Sequence, residues 1–143
     1  MSMEVVVFAC QQAVPEPEAL RNLWGKSEVR LRVLPEPCSS KLEAFQLLRT
    51  LATPVDLVWV IGCEESLCRF NEGSHRAAGR MAYVKKYLGE IGLEPARVAR
   101  SAVTPGDTSA LAAIVAEIKN RVQALGVSPL RQAPKAAARQ SAK

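Results

Sequence analysis

A chain of 143 residues that is 48% hydrophobic and 23% charged has the length and composition of one soluble domain with a real core. Its net charge of +5 does not point to nucleic acid, because the residues after Gly126 carry four of the five charges (Arg131, Lys135, Arg139 and Lys143, with no acid), aromatics are few and no nucleic-acid motif is present. No apolar run approaches the roughly 20 residues that span a bilayer, and Met1 to Cys10 lacks a secretory-signal pattern, so the expectation is a cytoplasmic protein with no membrane insertion.

Glu4 to Cys10 reads as a first buried strand that ends on a cysteine. Pro15-Glu16-Pro17-Glu18 has the proline and acids of a helix start, and the short helix it opens closes at Gly25. Val29 to Leu34 alternates apolar and basic residues, as a half-exposed edge strand does, and its arginines discourage edge-to-edge pairing. The loop Pro35 to Ser40 carries Cys38. Ser39 or Ser40 can cap a helix whose apolar face is Leu42, Phe45, Leu48 and Leu51.

Val55 to Ile61 is a near-continuous apolar run rich in β-branched residues, the pattern of a strand buried on both faces in a parallel sheet. It stops at Gly62-Cys63, and Cys68 lies in the same loop. A basic amphipathic helix follows from Ser74 to Leu88, with Ala77, Met81, Val84 and Leu88 apolar and His75, Arg76, Arg80, Lys85 and Lys86 polar. Gly92 closes it. Arg97 to Val103 is a weaker fourth strand. Thr104 to Asp107 forms a turn and helix start, and Leu111, Ile114, Val115, Ile118 and Val122 line the last helix up to Gly126. Trp24, Phe45 and Trp59 read as core.

Strands alternating with helices imply right-handed crossovers and a parallel sheet. The predicted fold is α/β, a small flavodoxin-like sheet of about four βα units in the order 2-1-3-4. Residues 1–126 are expected to form the domain and 127–143 a basic, disordered tail.

In this order the C-terminal ends of strands two, one and three lie side by side, about 4.8 Å apart. Cys10, Cys38, Cys63 and Cys68 then converge on one edge of the sheet, where open α/β folds bind ligands. In a cytoplasmic chain such cysteines are metal ligands, a redox pair or small buried residues rather than structural disulfides. Soft thiolates favour iron–sulfur or zinc over calcium or magnesium. The four-residue spacing from Cys63 to Cys68 is wide for a zinc knuckle and equals the first spacing of plant-type [2Fe–2S] sites. His75 is the single histidine, and Rieske-type ligation needs two. Gly-rich nucleotide-binding loops and acid–base constellations are absent from the sequence, and Glu64 and Glu65 read as loop solvation.

The stretch Gly62-Cys63-Glu64-Glu65-Ser66-Leu67-Cys68-Arg69-Phe70, with Gly73-Ser74, Arg76 and Arg80 after it, resembles the delta subunit of methyl-viologen-reducing hydrogenase, the iron–sulfur linker of heterodisulfide reductase complexes. Gly92-Leu93-Glu94-Pro95-Ala96-Arg97-Val98 is similar to a second segment of that family, and Phe8-Ala9-Cys10 to a third that is richer in cysteine. The resemblance covers about residues 4 to 122. It implies a [2Fe–2S] cluster held by Cys10, Cys38, Cys63 and Cys68. It further implies a non-catalytic electron-transfer role between a flavoprotein like the A component of heterodisulfide reductase and a hydrogenase, formate dehydrogenase or other oxidoreductase module. Ala9 and Ala13 stand where some relatives carry further cysteines, which leaves one four-cysteine set. Arg69, Arg76 and Arg80 steady an anionic cluster, dock an acidic partner or form a solvated helix face. The alternatives to the electron carrier are a structural zinc-binding adaptor and a metal-free thiol redox domain of the same fold.

Overall fold

The computed structural model describes residues 3–36, 44–63, 73–104 and 106–129, and for residues 44–45, 63 and 73–78 the backbone alone. Four strands, β1 (Glu4–Cys10), β2 (Arg30–Glu36), β3 (Leu57–Cys63) and β4 (Val98–Val103), pair in parallel in the order β2-β1-β3-β4. Helices α1 (Pro17–Trp24), α2 (Ala44–Leu51), α3 (Gly73–Glu90) and α4 (Thr108–Leu125) connect and follow them. This is the expected α/β architecture and strand order.

The two central strands are apolar throughout because each face is covered by a pair of helices. Val5, Val7 and Ala9 of β1 and Leu57, Trp59 and Ile61 of β3 face one layer, where Leu20 and Trp24 of α1 pack beside Leu111, Ile114, Val115, Ile118 and Val122 of α4. Val6, Phe8, Val58 and Val60 face the other, where Leu47 and Leu51 of α2 meet Met81, Val84 and Leu88 of α3. The Trp59 indole adds a polar tie, since its Nε1 donates to Ser101 Oγ at 2.9 Å while the Arg121 guanidinium sits 4.6 Å from the ring centre. In the edge strand β2 only Val33 is buried, and Arg30 and Arg32 face solvent, as its alternation foretold.

Helix ends follow local chemistry. Pro17 opens α1, where a missing N–H costs nothing, and Gly25 ends it at φ 66°. Asp107 caps α4 by accepting from the Ala110 amide at 3.0 Å. Lys119 of α4 reaches the C-terminal end of α1, donating to Trp24 O at 2.6 Å and standing 5.1 Å from the Trp24 ring centre.

Two details differ from the sequence reading. In α2 the most deeply buried side chains are Leu47 and Leu51, one turn apart, with Leu48 only partly buried. The helix presents a broader apolar face than the predicted i, i+3 row. The Phe45 side chain and Leu42 fall outside the described residues. Arg97, read as the first residue of the fourth strand, belongs instead to a 3-10 turn, Pro95–Arg97, and is 2% exposed.

Arg97 is half of a buried polar clasp at the N-terminal edge of the sheet. Its Nη1 donates to Asp56 O at 3.0 Å and Gly126 O at 2.9 Å. Its Nη2 donates to Leu125 O at 3.1 Å and Val127 O at 3.4 Å, and pairs with Glu94 Oε2 at 2.8 Å. A cation thus satisfies the orphan carbonyls at the end of α4, where the helix dipole is negative. The fully buried Asp56 carboxylate completes the clasp, accepting from the Glu4 amide at 2.8 Å and the Ser128 amide at 2.7 Å. The Glu94-Pro95-Ala96-Arg97 segment singled out in the sequence is therefore a structural latch.

Candidate metal centre

The connections place a topological switch point between β1 and β3. From β1 the chain moves outward to β2 through α1. From β3 it moves the other way to β4 through α3, on the opposite face. The two crossovers part at the carboxyl ends of β1 and β3 and leave the crevice in which such folds hold ligands.

Cys10 is the last residue of β1 and Cys63 the last of β3. Ala9 pairs with Ile61, so continuing the register by one residue sets Cys10 beside Gly62 and one step short of Cys63. Strand spacing in a sheet is about 4.8 Å, so two of the four cysteine positions are neighbours although far apart in sequence. On its other side Cys10 pairs with Glu36, the last residue of β2. The Gln11 amide donates to Glu36 O at 2.7 Å, prolonging that pairing beyond the strand end. This latch fixes the point two residues before Cys38. Cys38 and Cys68 themselves, with Arg69, lie outside the described residues.

The Cys10 side chain is 2% exposed, packed in the core cluster that holds Ala9, Ala13 and Val14. Its carbonyl accepts from the Ala13 and Val14 amides at 3.0 and 2.8 Å, turning the chain away from the strand end. Ala9 and Ala13 are themselves buried core residues at 0% and 1% exposure. Among the described residues no group of three or more histidine, cysteine, aspartate or glutamate side chains gathers. Of the four thiols, only that of Cys10 is among the described side chains. His75 and Arg76 lie in the first turn of α3, and Arg80 is half-buried one turn further on. The Gln11–Glu36 latch escaped the sequence reading, since a backbone pairing leaves no mark on residue type.

The two central strands of a parallel α/β domain thus bring two of the four cysteine positions to the switch point. The chain belongs to the family described as methyl-viologen-reducing hydrogenase, delta subunit, which matches residues 5–126. It is 25% identical over 135 residues to the F420-non-reducing hydrogenase vhu iron-sulfur subunit of Methanocaldococcus jannaschii, covering 92% of this chain and 98% of that one. It is 29% identical over 126 residues to the F420-non-reducing hydrogenase iron-sulfur subunit of Archaeoglobus profundus, covering 85% and 90% respectively. It is also 32% identical over 98 residues to the A component of the ferredoxin/F(420)H(2)-dependent CoB-CoM heterodisulfide reductase of Methanosarcina acetivorans, covering 66% of this chain but 12% of that much longer one. Among the described residues no helix is long and apolar enough to cross a membrane.

Proposed function

We propose that this chain is an electron-transfer subunit carrying one [2Fe–2S] cluster on the thiolates of Cys10, Cys38, Cys63 and Cys68. The observation that supports this most is the strand register that sets Cys10 beside Gly62 and next to Cys63, with the end of β2 latched alongside. A donor set of four sulfurs with no paired histidines fits an iron–sulfur centre. Such a centre supplies reversible one-electron transfer. The chain's own residues would hold Cys10 and Cys63 at the ends of β1 and β3, with the Cys10 side chain packed against the apolar core.

The names of the relatives support the same reading. Several are called iron-sulfur subunits of hydrogenases. The A components of two heterodisulfide reductases contain a segment similar to this chain within 12% and 16% of their length. A module fused to the A component in those proteins is a natural neighbour of such a component here. We therefore assign this chain a non-catalytic place between a flavoprotein like the A component of heterodisulfide reductase and a hydrogenase, formate dehydrogenase or other oxidoreductase module. Thiolate ligation suits the reducing cytoplasm.

The test is a visible spectrum of anaerobically purified protein, with iron and acid-labile sulfide measured on the same sample. About two irons and two sulfides per chain are expected, the stoichiometry of the cluster. The Cys68→Ala and Cys10→Ser variants should each lose the visible absorption while retaining the folded far-ultraviolet signal. A colourless zinc protein would replace the reading with a structural adaptor. A protein that stays metal-free after reconstitution would leave a thiol redox domain.

A further inference from the structure

Helix α3 buries Met81, Val84 and Leu88 against the sheet and leaves an adjoining flank open. Tyr83 is 59% exposed, Tyr87 40% and Ile91 51%. Each lies one helical turn from the next, so they form a single row about 12 Å long. Ile91 follows the last residue of α3, yet its amide still donates to Tyr87 O at 3.1 Å, so the row keeps helical register. Three of the four large exposed apolar side chains among the described residues fall on this row, Leu23 being the other. Scattered exposed apolar residues need no explanation, but a contiguous aromatic row does.

Charge decides what can cover it. Residues Gly73–Glu90 carry Arg76, Arg80, Lys85 and Lys86 against Glu90, a net +3. Lys86 is exposed beside Tyr83, and Arg80 precedes Tyr83 by three residues on the same side. A second copy of the chain laid on this flank would bring two such helices together, and like charges juxtaposed at an interface oppose association. A carboxylate-rimmed surface instead meets Arg80 and Lys86 beside the row, against the single acid Glu90 at its far end. Tyrosine and arginine are also among the residues most enriched where binding energy concentrates.

We propose that the Tyr83–Tyr87–Ile91 row, rimmed by Arg80 and Lys86, is the docking surface for an acidic face of a neighbouring oxidoreductase protein. This rests on the reading that the chain works inside an electron-transfer complex. It adds which face makes the contact and the chemistry of the surface that receives it. α3 is the helix that follows the Cys63–Cys68 loop, so a partner seated on this flank is held by the element next to the candidate centre.

The experiment uses the affinity-tagged full chain in the cells that make it, with photoreactive benzoylphenylalanine replacing Tyr87 or, as a control on the opposite layer, the exposed Ala112 of α4. Crosslinked peptides are identified by mass spectrometry in the isolated complex. The expected result is a crosslink from position 87 to an aspartate- or glutamate-rich segment of an oxidoreductase protein. The Tyr83→Ala/Tyr87→Ala double variant should then bind that protein at least about tenfold more weakly, with unchanged thermal midpoint and visible spectrum. Lys86→Glu should weaken binding most at low salt. If the complex is recovered but crosslinks only through position 112, or survives the double variant undiminished, the docking surface is overturned and the electron-carrier reading stands. A crosslink between two copies of the chain overturns the acidic-partner assignment. If no oxidoreductase protein accompanies the chain, both readings fall.

Discussion

Replacing Arg97 by methionine keeps most of the side-chain volume and removes the guanidinium. The side chain is 2% exposed and donates to the carbonyls of Asp56, Leu125, Gly126 and Val127 at 2.9 to 3.4 Å. A hydrogen bond to a charged group is worth about 1.5–3 kcal/mol, but carbonyls at the end of α4 can recover water once the cation is gone. Removing one member of a buried charged network typically costs about 3–5 kcal/mol, and that range is the expectation here. Glu94, in contrast, is 42% exposed on its side chain, so its ion pair with Arg97 contributes at most about 1 kcal/mol. Urea unfolding followed by tryptophan fluorescence separates the two, since Trp24 and Trp59 are both buried. With a slope of about 2 kcal/mol/M, Arg97→Met should lower the midpoint by about 1.5–2.5 M and Glu94→Gln by no more than about 0.5 M. A Glu94→Gln loss equal to that of Arg97→Met would show that the ion pair, not the helix-end carbonyls, is what the arginine serves. A midpoint shift under about 0.5 M for Arg97→Met would refute the clasp as a stabilising element.

Three further outcomes follow from the packing. Asp56→Ala strips the acceptors from the Glu4 and Ser128 amides and should cost about 3 kcal/mol, whereas Asp56→Asn keeps one acceptor oxygen and should cost less, measured by the same midpoints. Gly92 sits at φ 84° with open space where a Cβ would go, so Gly92→Ala should lose about 1–2 kcal/mol from backbone strain alone, read as a thermal midpoint several degrees lower. Lys119→Met removes the donor to Trp24 O and the cation beside the indole, and should cost about 1–2 kcal/mol while shifting the Trp24 emission.

The order of elements was readable because burial on both faces makes β1 and β3 apolar without alternation, while half-burial gives β2 its alternating arginines. Gly25, Gly92 and Gly126 marked helix ends because each adopts positive φ there. The adjacency of the strand ends that carry Cys10 and Cys63 was equally legible, for it needs only a parallel sheet and the strand order. What escaped was long-range polar pairing. Arg97 looked like a strand residue since its partners, Asp56 and Leu125 to Val127, are 41 and about 30 positions away. Asp56 likewise vanished into an apolar run, although its carboxylate binds an amide 52 residues before it and another 72 after. The tyrosine row on α3 was hidden by the same logic: helical spacing tells which residues can share a face, and only the packed helix shows which flank the sheet leaves open.

The Asp56 carboxylate has an evolutionary corollary. Its two oxygens accept from the amides of Glu4 and Ser128, so the strand that begins the fold and the segment that follows α4 are bridged by one carboxylate. They do so at the floor of the sheet, the length of a seven-residue strand, about 20 Å, from the crevice where Cys10 and Cys63 end. A unit with adjacent entry and exit can be spliced into a longer polypeptide as a cassette without disturbing its working end. Segments similar to this chain make up 12% and 16% of two heterodisulfide reductase A components.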